Sequence, residues 1–217
     1  MPLPPGLLAR GPWSVEQVEG RWRDVPYAPA APASAAADAA IDALRERGSP
    51  AHDGLSARLV SYEATPARLS LELEPIRWAL RLDRSDAAQS MAANCVVRAA
   101  DGRWLAGRRA GWLATWSGRW ALGAGGAIEP GENPAHTLSR ELREEWSVTP
   151  ERLSVEALFC LPNRLVMLIG LAWLGDGAQV TPDAEHDAFA WWPAEVERWP
   201  AEADEPLRGL ATMLSAP

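Results

Sequence analysis

The pattern of apolar and polar positions changes character near residue 90. Residues 58–64 and 68–82 alternate apolar and polar side chains, which is typical of strands with one buried face. These two runs are joined at Thr65-Pro66, and we expect Pro75 to break the second run in two. Residues 155–161 and 165–174 are instead continuously apolar, which predicts two strands buried on both faces.

Two helices are predicted from signals at their ends. The segment AAADAAIDALRER follows Ser34, which we expect to cap the helix, and Gly48 is expected to stop it. The second helix has stronger signals, with Asn133 as N-cap, Pro134 at the first helical position and a body from 135 to 146.

Shorter elements complete the pattern. Asp101-Gly102 lies between two apolar runs and predicts a tight hairpin turn. It is followed by a predicted loop at 111–126 that is rich in glycine and tryptophan. The remaining predictions are a strand at 188–193, a short helix at 193–199 and a last helix at about 205–214.

These elements predict an α+β protein in two parts. Residues 1–33 are rich in proline and are interpreted as an irregular lead-in. Together with the first helix and the alternating strands they make a small α+β domain, residues 1–88, with no motif that indicates chemistry. Residues 89–217 alternate strands with few helices, which predicts a mixed sheet with helices packed on it.

Net charge and cysteine content indicate which binding partners and which cell compartment to expect. The 217-residue chain has a net charge of −8, which opposes binding to nucleic acid or to anionic membranes. Cys95 and Cys160 lie in apolar runs, so we expect buried free thiols rather than a disulfide. No signal peptide or membrane-length apolar segment is evident, and we expect a cytoplasmic location.

The strongest chemical signal is a glycine loop followed by an acidic helix. Gly126 is followed by five residues, Glu132, seven residues, and then the run RELREEWSV from Arg140 to Val148. The helical stripe that must face the core consists of Ala135, Leu138, Leu142 and Trp146. Glu141 and Glu145 border this stripe, while Glu144 lies further round the helix.

Three carboxylates this close repel one another, and burial makes their charge more costly. A hard cation such as Mg²⁺ would neutralise them. The competing interpretation is a solvated acidic helix face that is paired with Arg140 and Arg143.

The spacing resembles the Nudix box, which is Gly, five residues, Glu, seven residues, and Arg-Glu-U-x-Glu-Glu-x-Gly-U, where U is a bulky aliphatic residue. Eight positions match: Gly126, Glu132, Arg140, Glu141, Leu142, Glu144, Glu145 and Val148. The resemblance implies the Nudix α/β/α sandwich with a mixed sheet. It also implies a hydrolase that cuts a diphosphate bond with the help of Mg²⁺, or alternatively Mn²⁺.

By the same resemblance, Glu141, Glu144 and Glu145 would bind the divalent ions, helped by a backbone carbonyl at Gly125. Arg140 would hold a carboxylate in place, and Glu132 is the expected partner. The general base varies in this family, so it is either a box glutamate or a carboxylate from a later loop. The later candidates are Glu185 and Asp187, with His186 between them, and their alternative role is that of an exposed acidic loop.

Two departures from the family pattern concern turns. Ser147 replaces the glycine that usually ends the box helix in a left-handed conformation, so a reshaped turn is expected, although no metal ligand would be lost. Residues 118–126 read GRWALGAGG, whereas many relatives read Gly-x-Trp-x-x-Pro-Gly-Gly. This difference bears on the subgroup rather than on membership.

Candidate substrate residues precede the box. Arg108 and Arg109 end a strand and are candidates for phosphate binding, whereas Trp112, Trp116 and Trp120 are candidates for stacking on a base or ribose. A purely structural role is the alternative for each of them.

The expected substrate is a nucleoside diphosphate linked to another group, of the nucleotide-sugar or ADP-ribose type. The N-terminal part would extend the cleft or form a homodimer. The alternatives are a house-cleaning pyrophosphatase for nucleoside triphosphates and a non-catalytic ligand sensor with this fold. Isopentenyl-diphosphate isomerase is disfavoured because Cys95 lies mid-strand, and a four-cysteine zinc site cannot be built from two cysteines.

Overall fold

The computed structural model of the protein describes residues 3–50 and 53–216. Residues 1, 2, 51, 52 and 217, which fall within the two predicted domains, lie outside the described residues. In the described part the strands are β1 (Gly6–Ser14), β2 (Val18–Trp22), β3 (Leu55–Thr65), β4 (Arg68–Arg77), β5 (Met91–Arg98), β6 (Trp104–Arg109), β7 (Trp120–Leu122), β8 (Ala124–Ala127), β9 (Arg152–Cys160), β10 (Val166–Trp173) and β11 (His186–Trp192). The helices are α1 (Ala31–Glu46), α2 (Pro134–Trp146) and α3 (Glu205–Ser215), with short 3-10 helices at Val15–Gln17, Trp78–Leu82 and Val196–Arg198.

Eight strands form one mixed sheet, as predicted. Its order is β1-β9-β10-β5-β6-β11, with β7 paired to β6 and β8 paired to β5. Only β10 and β5 pair in parallel among the described strands of this sheet. The predicted hairpin is confirmed, because β5 and β6 pair antiparallel on either side of Asp101-Gly102.

Helices cover both faces of this sheet, which confirms the α/β/α sandwich. The predicted apolar stripe of α2 is fully buried on one face, and Gly170 of β10 leaves room for Leu138 to approach the sheet. On the other face, Ala211 and Leu214 of α3 pack with Val96. No helix among the described residues is long and apolar enough to cross a membrane.

A second, three-stranded sheet in the order β2-β4-β3 packs on the far side of α2. Leu59 and Leu71 of this sheet share one core with Leu138 and Trp146 of α2. Helix α1 packs behind this small sheet, with Ile41 in contact with the cluster around the 3-10 helix Trp78–Leu82. Helix α2 therefore lies between two sheets and has little surface left for water.

The irregular lead-in predicted for residues 1–33 is wrong in its described part. Strand β1 pairs antiparallel with β9 of the eight-stranded sheet, and β2 pairs in parallel with β4. The local sequence pattern did not indicate either strand. In β1, Pro12 and two register shifts interrupt the alternation of side chains. The first strand thus belongs to the sheet of the predicted second domain, while the division at residue 88 remains a prediction.

Three other local predictions are corrected. Helix α1 begins at Ala31 and has Ala30, not Ser34, as its N-cap, because a proline in the first turn already favours helical geometry. Pro75 does not break β4: it stays in register opposite Ala57 of β3, and it lies beyond the end of the β2 pairing, whose last partner is Leu73. The loop predicted at 111–126 contains β7 and part of β8.

We predict that Leu138→Ala lowers the free energy of unfolding by about 2–5 kcal/mol, because the side chain is fully buried between the two sheets. Urea denaturation measures the change. The matched control is His136→Ala on the exposed face of the same helix, which should change the value by no more than about 0.5 kcal/mol. Equal effects of the two substitutions would contradict the position of α2 in the core.

Candidate metal-dependent active site

The start of α2 is held from two directions. The Asn133 side-chain oxygen accepts a hydrogen bond from the Ala135 backbone N–H at 3.0 Å, as an N-cap does. The Asn133 amide nitrogen donates to the Val18 carbonyl of β2 at 2.9 Å, and the Trp22 indole donates to the Glu132 carbonyl at 3.0 Å. The small sheet therefore fixes the loop that leads into the acidic helix.

The end of α2 keeps the usual turn, so the reshaped turn expected from Ser147 is wrong. Ser147 adopts the left-handed conformation, with φ 53° and ψ 35°, and its N–H still bonds to the carbonyls of Arg143 and Leu142. The loop between β10 and β11 lies against this end of the helix: Asp183 N–H donates to the Glu145 carbonyl at 2.8 Å. This contact brings residues 183–187 beside the acidic helix.

Arg140 connects the carboxylates of the motif. Its Nε and Nη2 reach the two oxygens of Glu132 at 3.0 and 3.3 Å, which is the expected bidentate pair. Its Nη1 lies 2.8 Å from Glu141 Oε1 and 3.0 Å from Glu144 Oε2. Its Nη2 also donates to the Ala127 carbonyl at 2.9 Å. One guanidinium thus orients three carboxylates.

Glu141 and Glu145 are buried, with exposed fractions of 8% and 4%. Loss of water is the main cause that raises the pKa of both carboxyl groups, and the charge of Glu141 contributes to the raised pKa of Glu145. Glu145 Oε1 accepts a hydrogen bond from the Gly125 N–H at 2.9 Å. Glu145 Oε2 is buried and has no hydrogen-bond partner among the described residues.

The two loop glycines fit closely against these carboxylates. A Cβ on Gly126 would lie within 3.0 Å of all three atoms of the Glu141 carboxylate, so only glycine leaves this carboxylate in place. Gly125 contacts Glu145 through its N–H; its carbonyl as a metal ligand remains a prediction. Both glycines lie on β8, which pairs with β5 and is therefore rigidly placed.

The donor set suits a hard divalent cation, although it is not assembled as a closed shell. Glu144 is 58% exposed and turned toward Arg140. In residues 3–50 and 53–216 no group of three or more His, Cys, Asp or Glu side chains has the arrangement of a metal site. The fit lies in the chemistry: Glu141 and Glu145 supply buried carboxylate oxygens, one of them without a partner, and Mg²⁺ prefers such ligands.

The two later carboxylate candidates face different ways. Glu185 Oε2 lies 3.7 Å from Arg109 Nη2, beside the acidic helix. Burial raises the pKa of Glu185, and the charges of Asp183 and Glu144 also raise it. Asp187 turns outward and pairs with Arg108 at 2.6 Å on the surface. The geometry favours Glu185 over Asp187 as a group that acts on a reaction at α2.

His186 lies closer to the carboxylates than sequence reasoning indicated. Its ring is buried, stacks on Trp146 at 4.4 Å between centroids and occupies space that a side chain on Gly107 would fill. Its Nε2 is 3.6 Å from Glu145 Oε2, and burial lowers the pKa of the ring, which favours its neutral form. The local sequence Glu185-His186-Asp187 is typical of an exposed acidic loop and did not indicate that His186 would be buried against Trp146.

Two of the candidate tryptophans border a cavity on the other face of the sheet. The cavity has a volume of about 550 Å³ and lies between β5, β7, β9, β10 and α3, with Trp116 and Trp120 at its wall. It is lined mainly by apolar side chains, and Asn94 is one of its few polar groups. Asn94 is paired with Gly125 across β5 and β8, so the cavity adjoins the strand whose glycines contact Glu141 and Glu145. Trp112 is exposed and does not line it.

One charged residue near the site was missed. Arg81, in the 3-10 helix Trp78–Leu82, is close enough for the charges of Arg109 and Glu141 to shift its pKa. Its surroundings in the sequence, ALRLDR, contain no motif, and only the packing of the N-terminal part onto α2 places it here.

Comparison with known proteins gives one match over most of this region. A family model described as NUDIX domain matches residues 88–210, more than half of the chain. No curated protein matches.

Similar solved structures include a MutT protein from Methanosarcina mazei Go1, at 21% identity and TM-score 0.44 over 59% of this chain and 96% of that one. A C. elegans Ap4A hydrolase in a binary complex matches at 20% and 0.45 over 58% and 95% of the respective chains. The NUDIX domain of Shewanella oneidensis NrtR complexed with ADP ribose matches at 21% and 0.45 over 59% and 90%.

We predict that Gly126→Ala weakens Mg²⁺ binding roughly 10- to 100-fold, because its Cβ would displace the Glu141 carboxylate. Isothermal titration calorimetry with Mg²⁺ measures the affinity. Gly111→Ala is the matched control, since a Cβ there meets nothing within 4 Å. Unchanged affinity in a folded Gly126→Ala protein would show that Glu141 is not a ligand.

Proposed function

The chain belongs to the NUDIX family of hydrolases, and from this premise we propose that it is a magnesium-dependent pyrophosphohydrolase. Its substrate is a nucleoside diphosphate linked to another group, of the nucleotide-sugar or ADP-ribose type, and the bond broken is the one between the two phosphates. The family assignment rests on the match over residues 88–210.

The observation that carries this proposal is the pair of buried carboxylates on α2. Glu141 and Glu145 are kept from water, and Glu145 Oε2 has no hydrogen-bond partner within residues 3–50 and 53–216. An arrangement that disfavours negative charge on both groups is costly unless a cation joins them. A solvated acidic face, the competing interpretation, would leave these two side chains exposed.

Glu141, Glu145 and the more exposed Glu144 would hold Mg²⁺ or Mn²⁺, with the Gly125 carbonyl as a further oxygen ligand. When bound, the ion supplies charge neutralisation on the diphosphate and lowers the pKa of the attacking water. Arg140 contacts Glu132, Glu141 and Glu144 and so limits the positions that their carboxylates can take.

The proton from the attacking water needs an acceptor near α2. Glu185 is our candidate, because its raised pKa makes it a better base than an ordinary carboxylate and it lies beside Arg109 rather than on the open surface. Asp187 is the weaker candidate, because Arg108 already neutralises it. Glu145 remains the alternative within the box.

The cavity beside Asn94 supports a substrate with a flat ring. Its apolar lining and the tryptophans Trp116 and Trp120 suit a base or a sugar face, and about 550 Å³ is in the range of small-molecule sites. Arg108 is paired on the surface, so Arg109, at 13% side-chain exposure, is the stronger phosphate candidate of the two.

The acidic net charge supports a small-molecule nucleotide over nucleic acid or an anionic membrane. The two buried free thiols fit the reducing cytoplasm, and a homodimer remains part of the proposal. A nucleoside triphosphate would use the same carboxylates and the same cavity, so the choice between the two substrate classes rests on the experiment below.

We predict release of a nucleoside monophosphate from UDP-glucose or ADP-ribose with Mg²⁺, and none in excess EDTA. Turnover is compared at equal concentration on UDP-glucose, ADP-ribose, NADH and 8-oxo-dGTP. A clear preference for 8-oxo-dGTP would favour the house-cleaning role. Full activity in EDTA would end the metal mechanism, and no turnover by a protein that binds Mg²⁺ would favour the ligand sensor.

We predict that Glu145→Gln raises the barrier by about 4 kcal/mol, or roughly a thousandfold in kcat, because a ligand of the ion is lost. The melting temperature without metal should rise, since the substitution removes the cost of burying an ionisable carboxyl group. Mg²⁺ should no longer stabilise this variant. Glu202→Gln, at an exposed position, is the control and should match the wild type. If Glu145→Gln keeps most of its activity, the essential metal ligand is Glu141 or Glu144 instead.

A further inference from the structure

Arg81 is a half-buried guanidinium that no oxygen atom of the described residues satisfies. It lies over the Trp78 ring, 5.7 Å from the centroid, but makes no hydrogen bond and no ion pair within 4.0 Å in residues 3–50 and 53–216. Arg84, Arg143 and Arg152 also lack such partners in this part of the chain, but all three are exposed to water. Arg81 is therefore the arginine whose charge is least well compensated.

The position of Arg81 is set by packing rather than by chance. The 3-10 helix Trp78–Leu82 is anchored by Ala79 and Leu80, which are buried against α1. The same cluster includes Ala114, from the loop between β6 and β7. Arg47 also donates from its Nη2 to the Ala114 carbonyl at 3.4 Å. The N-terminal unit, residues 3–50 and 53–88, is thus seated against the loop that follows Arg109.

Arg81 and Arg109 lie on segments that pack against each other, because Ala114, in the loop that follows Arg109, belongs to the cluster of Ala79 and Leu80. Burial lowers the pKa of Arg81 to about 10, the charge of Arg109 lowers it as well, and the charge of Glu141 raises it. Arg109 donates from Nε to the Thr115 carbonyl at 3.3 Å, and its nearest carboxylate, that of Glu185, is 3.7 Å away. Two repelling guanidiniums with little compensation do not stabilise a fold.

An anion between them would remove the repulsion. Guanidinium groups bind phosphate oxygens with two parallel hydrogen bonds, and they are less strongly hydrated than ammonium groups, which suits a half-buried position. Arg109 lies beside Glu185, in the loop whose Asp183 N–H bonds to the Glu145 carbonyl of α2, so the anion would be held close to the proposed metal ligands. One phosphate of a diphosphate whose other phosphate reaches those ligands fits this position.

We propose that Arg81 and Arg109 together bind a phosphate group of the nucleotide substrate, so that the N-terminal unit supplies part of the active site. This inference rests on the proposed function, because it assigns one phosphate of that substrate. It gives the N-terminal unit a role in substrate binding that no motif in its sequence indicates. Arg81 is a binding residue in this proposal and takes no part in proton transfer.

The test compares Arg81→Gln with Arg84→Gln, an exposed arginine three residues away that lacks a partner in the described structure. The probe is inorganic pyrophosphate, titrated by calorimetry in excess EDTA so that no metal contributes. Arg81→Gln should bind it roughly 10- to 100-fold more weakly than the wild type, and Arg84→Gln should bind it equally well. Equal binding by Arg81→Gln and wild type would overturn the proposal.

Thermal unfolding separates this role from a structural one. Removing an uncompensated charge should leave the melting temperature of Arg81→Gln unchanged or raise it, whereas loss of a structural contact would lower it. If Arg81→Gln is less stable than the wild type, Arg81→Lys decides. Weaker pyrophosphate binding by Arg81→Lys with a wild-type melting temperature supports the proposal, and unchanged binding or a lowered melting temperature overturns it.

The kinetic arm uses whichever nucleotide of the substrate panel is hydrolysed. Arg81→Gln should raise KM more than it lowers kcat, while the Mg²⁺ affinity stays at the wild-type value. Failure of the proposed function would appear as no turnover by the wild type, and the pyrophosphate titration would still decide the role of Arg81. A turnover by Arg81→Gln with unchanged KM would overturn the inference and leave the proposed function intact.

Discussion

The active site depends on the removal of two carboxylates, those of Glu141 and Glu145, from water. Helix α2 must bury its apolar stripe between two sheets, and the glutamates that border the stripe are buried with it. The surrounding structure lowers the cost in several ways: Arg140 pairs with Glu141, and the Gly125 N–H donates to Glu145. What remains among the described residues is one carboxylate oxygen without a hydrogen-bond partner, and in the proposed function this oxygen would bind a small, highly charged ion.

The small sheet not only covers α2 but also fixes the start of this helix through hydrogen bonds. Through Val18 it binds the residue that caps α2, and through Trp22 it holds the carbonyl of Glu132. The first turn of the helix is thus positioned from one side while β8 positions the carboxylates from the other. Catalytic groups need a rigid support to stay within a fraction of an ångström of their working geometry, and here both sheets provide it.

Much of this could be predicted from local sequence. The caps of α2, its buried stripe, the Asp101-Gly102 hairpin and the two apolar strands β9 and β10 all follow from signals within a few residues. Strand β1 could not be predicted, because its partner β9 lies about 140 residues away and its own pattern is irregular. Arg81 and His186 were missed for the same reason, since their neighbours come from distant segments. At Ser147 the fold imposed a left-handed turn that serine alone would not favour.

The shared core has a consequence for how this protein can be divided. The family match begins at residue 88, yet Leu59, Leu69 and Leu71 pack in the same cluster as the apolar stripe of α2. A fragment cut at the family boundary would leave one side of the catalytic helix bare and one sheet edge unpaired. The first part of the chain is therefore not an interchangeable module: any replacement would have to reproduce its shape against α2, and substitutions in it would shift the acidic helix from outside the residues of the Nudix box.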